Sequence, residues 1–330
     1  MLLPPIRTHR LLFAVSVLCQ AIFLMTVAAP VASAQKTGVA RIREDAANLM
    51  PMARHDVTKT FHTQAEADKM DAARRKSLTA VTIGESFYYN TRYGSPLAYA
   101  RPLEILGESG LKSVSEKKIL DFGYGTVGHL RLLAYSGAQV VGVEVDPLLP
   151  ALYSDPSDQG AIKGKGERAG KIQLIDGSFP GDAAVKKAVG EGYDIIISKN
   201  TLKNGYLHPS QPVDKALLVD LGVEDAVFLR ALHTALKPGG KVLIYNLSPG
   251  PGKPGEPYKP WADGKSPFST SQWETAGFRI LAFDRDDNEA ARKMGHAIGW
   301  DTGPEPMSLA DDLFALYTLV EKPPPGDTRP

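Results

Sequence analysis

The sequence predicts an α/β domain built on a mostly parallel sheet, and three observations carry that expectation. From Lys117 onward, short apolar runs alternate with helical stretches. One run, Lys118–Phe122, passes directly into glycines at positions 123, 125 and 128 before a helix begins. Further on, Leu236-Lys237-Pro238-Gly239-Gly240 ends a helix and starts a strand. Strand and helix alternating in this way bury a parallel sheet between two helical layers.

Composition narrows the class. The 330 residues suit one large or two small domains, and 43% hydrophobic with 23% charged residues describes an ordinary globular chain. The 38 basic and 37 acidic side chains leave a net charge of +1, which argues against nucleic-acid binding by bulk positive charge. The single cysteine, Cys19, excludes an intrachain disulfide framework and a cysteine-clustered zinc site. The histidines are scattered without ligand spacing, so no metal is expected.

The first segment, 1–34, reads as a secretory leader. Arg7 and Arg10 precede an uncharged run over 11–29, Pro30 breaks it, and Ala32-Ser33-Ala34 has the small-x-small pattern of a cleavage site. Cleavage after Ala34 removes both arginines and takes the net charge from +1 to −1. The exported protein, periplasmic or secreted, then has no cysteine, which suits an oxidising compartment. The competing reading is an uncleaved anchor over 11–29, the one route by which this chain would contact a membrane.

Residues 35–94 read as a helical extension or cap. Asp56 is placed to cap a helix over Thr58–Ser77, and Arg74-Arg75-Lys76 suits its C-terminus. After the aromatic segment Phe87–Tyr93, Ser95 or Pro96 opens a helix with Leu97, Ala100, Leu103 and Leu106 on one face. Seven strands follow, at Lys118–Phe122, Gln139–Glu144, Lys171–Ile175, Asp194–Ser198, Lys241–Asn246, Phe278–Asp284 and Phe314–Glu321. Helices are expected at Val127–Tyr135, Asp182–Val189 and Glu224–Leu236. Ser248–Pro267 is too rich in Pro and Gly for regular structure and reads as a long loop of the kind that lines sites. Asp284–Glu289 reads as a solvated loop, and 323–330 as a disordered tail.

The informative motif is Asp121-Phe122-Gly123-Tyr124-Gly125-Thr126-Val127-Gly128. Glycines there let the backbone turn sharply and approach a ligand where a side chain would collide. The next strand ends in Glu144, about twenty residues on, where a carboxylate can accept from both hydroxyls of a ribose. Together they predict an adenosine-containing cofactor.

At this point the chain resembles the class I S-adenosylmethionine-dependent methyltransferase superfamily over about residues 95–322. DFGYG is similar to its first motif and GVEVD to the acidic end of its second strand; LIDGSF, YDIIISKN, ALKPGGKVLIYN and LFALYTLVEK follow in the matching order. The resemblance implies a Rossmann-like seven-stranded, mostly parallel sheet with an antiparallel last strand, helices on both faces and a helical N-terminal extension. It implies S-adenosylmethionine as cofactor, with Gly123 and Gly125 against its methionine part and Asp121 bonding its amino group or a water. Glu144 would hold the ribose, Asp176 the adenine edge with Gly177 and Ser178 backbone, and Lys199 and Asn200 would face the methyl group. Each has a plainer reading: Glu144 as a solvated strand end with Asp146 the binder, Asp176 as the cap of its turn, and Lys199 as a surface lysine. The motif departs from the commoner DxGxGxG, which leaves Gly128 without an implied role. The Asn/Asp-Pro-Pro-Tyr of many amino-group methyltransferases is absent at Ser198-Lys199-Asn200-Thr201.

In-line methyl transfer needs positioning first and a base only for a protonated acceptor. His208, in the loop after the fourth strand, is the candidate base, against the reading of a loop histidine without a role. Tyr88, Tyr89, Tyr93, Tyr258 and Trp261 are candidate walls for a cationic sulfonium, or packing residues. The expected function is methyl transfer to a small molecule or an exported component. Two alternatives stand beside it: a non-catalytic exported ligand-binding protein on the same fold, and an NAD(P)-dependent oxidoreductase. The acid before the glycines and the LKPGG turn oppose the latter.

Overall fold

The computed structural model describes residues 56–58, 63–76, 80–82, 88, 96–164, 169–250, 252, 255–303 and 305–327. The leader expected over 1–34, with its apolar run and cleavage position, lies outside the described residues, as does most of 35–94. Among the described residues no helix is long and apolar enough to cross a membrane.

The extension differs from its expectation. Strand β1 (Asp56–Thr58) is followed by helices α1 (Gln64–Asp68) and α2 (Ala72–Lys76), and β2 (Ala80–Thr82) returns antiparallel to β1. Asp56 therefore lies in a strand, and the single helix expected over Thr58–Ser77 is two short ones. Local capping explains the break. Thr63 Oγ1 accepts from Glu66 N–H at 3.2 Å while Glu66 Oε2 accepts from Thr63 N–H at 2.9 Å, a reciprocal capping box. Asp71 Oδ1 then accepts from Arg74 N–H at 2.9 Å and starts α2 afresh.

A 3₁₀ turn at Pro96–Tyr99 leads into α3 (Ala100–Glu108), then β3 (Lys118–Phe122), α4 (Gly128–Tyr135), β4 (Gln139–Glu144), α5 (Leu149–Leu152), β5 (Gly160–Ile162) and β6 (Gly170–Asp176). The chain continues through α6 (Ala183–Val189), β7 (Tyr193–Lys199), α7 (Asn204–Leu207), α8 (Asp225–Ala235) and β8 (Leu236–Ser248). It ends with α9 (Thr270–Thr275), β9 (Arg279–Asp286), α10 (Asn288–Ala297), α11 (Leu309–Asp312) and β10 (Phe314–Glu321). All seven expected strands belong to one sheet, in the order β5-β6-β4-β3-β7-β8-β10-β9. Strands β6, β4, β3, β7 and β8 run parallel, and β10 is antiparallel to both β8 and β9. The eighth strand, β5, is a three-residue antiparallel edge on β6, too short to leave a pattern in the sequence.

Strand alternation splits the core between two faces. Ile119, Ile197, Leu243 and Tyr245 pack with Ile105 of α3, Leu130 of α4 and Ala291 of α10; Leu120, Ile196, Val242 and Ile244 pack with Val185 of α6, Phe228 of α8 and Trp273 of α9. Helix α8 stops at Ala235 because Leu236 turns extended and Pro238 follows, and Gly239, at φ +77°, lies in the irregular start of β8 between Leu236 and Lys241. Asp182 caps α6, its Oδ1 accepting from Ala184 and Val185 N–H at 2.6 and 3.1 Å.

Two loop expectations need correction. Asp284–Glu289 is not solvated throughout: Asp284 Oδ1 accepts from Ser266 N–H at 2.6 Å, and Asp287 is 6% exposed. Pro323 to Asp327 are not a loose tail, since Asp327 N–H bonds Pro324 O at 3.1 Å and its carboxylate pairs with Arg279 at 2.9 Å. Residues 328–330 lie outside the described residues.

Candidate functional site

The sheet order reverses beside β3, since the chain leaves β3 toward β4 and β6, then returns to β7 on the other side. The carboxyl ends of β3 and β7 flank a topological switch point, where open α/β sheets bind ligands. Asp121, Gly123, Gly125 and Glu144 all lie at that edge.

Asp121, next to last in β3, is fully buried between Gly142 of β4 and Ile197 of β7. Its Oδ2 meets His129 Nε2 at 3.1 Å, and its Oδ1 has no hydrogen-bond partner among the described residues. A buried carboxylate oxygen left unpaired is costly, so Oδ1 is the position where a ligand donor is called for.

Gly123 and Gly125 have φ of +76° and +60°. At Gly123 the reason for glycine lies within the chain: a Cβ there would stand 2.3 Å from Thr201 Oγ1. Thr201 donates that hydroxyl to Gly123 O at 3.2 Å, joining the glycine loop to the segment after β7. Glu144 Oε2 accepts from Gly125 N–H at 3.2 Å and Oε1 from Val145 N–H at 2.9 Å. Glu144 is thus half-buried and engaged with the loop, not a plain solvated strand end. A carboxylate oxygen can accept more than one hydrogen bond. Asp146 Oδ1 accepts from Leu148 N–H at 3.0 Å in the turn before α5.

Asp176 ends β6 opposite Glu144 in register, and Gly177 N–H donates to Glu144 O at 2.8 Å. Asp176 is exposed, and loss of solvent around its carboxyl raises it above the ordinary carboxylate range. Ser178 Oγ donates to Leu221 O at 3.4 Å. Tyr124 fills the space behind the loop; burial, then Glu144, Asp176 and Asp158, raise its phenol well above the ordinary value.

Lys199, at the end of β7, is 2% exposed with Nζ 5.4 Å from the centroid of the Tyr99 ring, which overturns the surface-lysine reading. Asn200, at φ +64°, accepts from Leu247 N–H at 2.7 Å, so its Oδ1 anchors β8. His208 is half-exposed, its Nε2 3.1 Å from Asp225 Oδ2, where Gln272 also donates at 3.0 Å. Tyr88 is a core residue, bonded through its OH to Asp158 and set edge-on to Tyr153. Tyr258 and Trp261 are half-buried in the Pro-rich loop, while Tyr89 and Tyr93 lie outside the described residues.

The sequence reasoning missed His129, Tyr99, Thr201 and Lys203. His129 had a signal, since it falls in the first turn of the helix that follows the motif. Lys203 ties the Pro-rich loop down, donating to Leu247 O at 2.6 Å and Trp261 O at 3.1 Å. Burial above all, then repulsion from Lys199, lowers Lys203 to about 7, against a smaller opposing pull from Asp263. Unfolded, a lysine titrates near 10.5. Between those values the unfolded chain binds more protons, so stability rises with pH; below about 7 the cost of burying the charge is present in full. The melting temperature of the native chain minus that of Lys203→Met should therefore climb from pH 7 to pH 10. A flat difference would mean that Lys203 keeps its proton throughout.

No protein-family model matches the chain, and no curated protein matches its sequence significantly. Among solved structures, it is similar to phospholethanolamine N-methyltransferase 2 of Haemonchus contortus, at 16% identity over 69% of this chain and 54% of that one, TM-score 0.40. It is also similar to an S-adenosylmethionine-dependent methyltransferase from Mesorhizobium loti, at 18% identity over 68% of this chain and 97% of that one, TM-score 0.36. Likenesses this distant carry nothing about activity. The seven-stranded order with β10 alone reversed is the Rossmann-like, mostly parallel arrangement that the motifs imply.

Proposed function

We propose that the chain binds S-adenosylmethionine at the carboxyl edge of β3 and β4 and transfers its methyl group to a small molecule or an exported component. The observation that supports this most is the pairing of two carboxylates across the glycine loop. Asp121 keeps an unpartnered buried oxygen, and Glu144 stands on the next strand holding Gly125 N–H. In this reading an ammonium would bond Asp121 Oδ1, ribose hydroxyls would bond Glu144, and Asp176 with the Gly177 and Ser178 backbone would meet the adenine edge. Bound there, the cofactor supplies an electrophilic methyl on a sulfonium. The chain's own part is to hold both reactants in line, which can supply most of the acceleration.

With the leader read over 1–34, the proposed enzyme acts outside the cytosol after cleavage at Ala34. An anchor over 11–29 facing inward would instead keep it beside the cytosolic supply of cofactor. A second reading has its own support. Among the described residues, Asn200 and His208 are both engaged with protein partners and Lys199 is buried, which suits a ligand-binding protein that retains the fold without transfer.

Isothermal titration of the purified chain with S-adenosylmethionine, S-adenosylhomocysteine and NAD tests the proposal. Micromolar affinity for the first two is expected, and none for NAD. Binding of NAD alone would mean a dinucleotide oxidoreductase, and binding of none of the three would end the cofactor reading. Conversion of bound S-adenosylmethionine to S-adenosylhomocysteine on adding an extract of the exported fraction separates enzyme from binder.

A further inference from the structure

We propose that His129 is a positioning residue for the amino-acid end of the cofactor, acting through Asp121; this rests on the reading of the site above. The carboxylate of Asp121 has no exposed surface, so its orientation is set by protein contacts. Of its two oxygens, Oδ2 is taken by His129 Nε2 at 3.1 Å and Oδ1 is left without a partner among the described residues. The imidazole N–H therefore decides which oxygen is spent within the protein and which is left for a ligand.

His129 is itself held from two directions. It sits in the first turn of α4, 3% exposed, and its ring stacks on Tyr99 at 3.8 Å between centroids with 9° between planes. Stacking fixes the plane of the imidazole, and the helix fixes its origin, so Nε2 can aim only along that plane toward β3. For a hydrogen bond to a carboxylate, Nε2 must carry the proton. Tyr99 in turn lies under Lys199 Nζ at 5.4 Å from its centroid. The row Lys199, Tyr99, His129, Asp121 thus links the end of β7, where an acceptor would sit, to the strand that faces the glycine loop. An ammonium bonding Asp121 Oδ1 gains a charge-assisted contact only while the carboxylate is held in this rotamer. Without the imidazole N–H, both oxygens lose their fixed direction and the carboxylate stands buried with no donor among the described residues.

A ligand pair separates positioning from structure. S-adenosylhomocysteine carries the α-amino group, whereas 5′-methylthioadenosine has the same nucleoside and sulfur without it. Both are titrated into the native chain, His129→Phe and His129→Gln. Phenylalanine keeps the stack on Tyr99 and loses the donor; glutamine restores a donor at similar reach. The Phe variant is expected to bind S-adenosylhomocysteine at least tenfold more weakly and methylthioadenosine within twofold of native, with the Gln variant recovering most of the loss. Equal weakening of both ligands, or no weakening of either, overturns the assignment while leaving the cofactor reading intact. Failure of the native chain to bind either ligand overturns the cofactor reading and this assignment with it. Should the Phe variant not fold, the His129 ring nitrogen signals of the ¹⁵N-labelled native chain serve instead. They should shift on adding S-adenosylhomocysteine and not on adding methylthioadenosine, and an equal response to both would sink the proposal.

Discussion

Replacing Asp287 by alanine is expected to destabilise the domain by about 3–5 kcal/mol, the cost of removing one partner from a buried ion pair. Asp287 is 6% exposed and receives Arg101 in bidentate form, Nε to Oδ2 and Nη2 to Oδ1, both at 2.9 Å. Tyr245 OH donates to the same carboxylate at 3.1 Å. Three elements thereby meet at one side chain: α3 through Arg101, β8 through Tyr245, and α10, which begins just after Asp287. Burial works against the charge on Arg101, but its bonds to Asp287 and Glu108 prevail and raise it above the ordinary value. Truncation leaves that guanidinium with Glu104 and Glu108, at 3.3 and 2.9 Å, whose side chains are 38% and 62% exposed and so compensate weakly. Denaturant unfolding reads the loss. Asp287→Leu combined with Arg101→Met should recover at least half of it, because a buried pair replaced by apolar groups of similar size is close to neutral. A loss under about 1 kcal/mol in the single variant would show that the two glutamates carry Arg101 on their own.

That network also shows where the sequence stops being legible. Local pattern is enough for strands whose apolar runs end in glycine or a charge, so β3, β4 and β10 have the predicted bounds. The sheet edge at which the ligand is proposed is marked in the sequence by Asp121, the glycines and Glu144 at motif spacing. What cannot be read is pairing at long range. Asp287 lies in a stretch of carboxylates that suggests only solvation, and its partner Arg101 is 186 residues away. Lys199 looks like a strand-end lysine until the fold sets Tyr99, from the turn before α3 a hundred residues earlier, beside it. Gly123 is a similar case: the sequence offers a ligand as the reason for glycine, while Thr201 on the neighbouring strand's loop already forbids any side chain there. Each of these contacts joins segments that the strand order alone makes neighbours.

The second large effect falls on the ligand. Glu144→Ala is expected to weaken S-adenosylhomocysteine binding by at least a hundredfold, about 3 kcal/mol, because two hydrogen bonds to a charged acceptor are lost at about 1.5–3 kcal/mol each. Part of that loss comes from the chain itself. Gly125 N–H loses its acceptor, so the glycine loop loses the tie to β4 that holds it in its positive-φ turn. Glu144→Gln separates the two contributions, since the amide oxygen can still accept from Gly125 while its nitrogen can no longer accept from a hydroxyl. The Gln variant keeps the acceptor for Gly125 N–H but turns its NH2 toward Val145 N–H, so it should melt between the native chain and the Ala variant and lose about half of the binding free-energy difference. Asp146→Ala is the control for the competing binder; if Glu144 holds the ribose, it should shift affinity less than threefold. If Asp146→Ala weakens binding and Glu144→Ala does not, the ribose is held two residues further along. In that case Glu144 serves only to shape the loop.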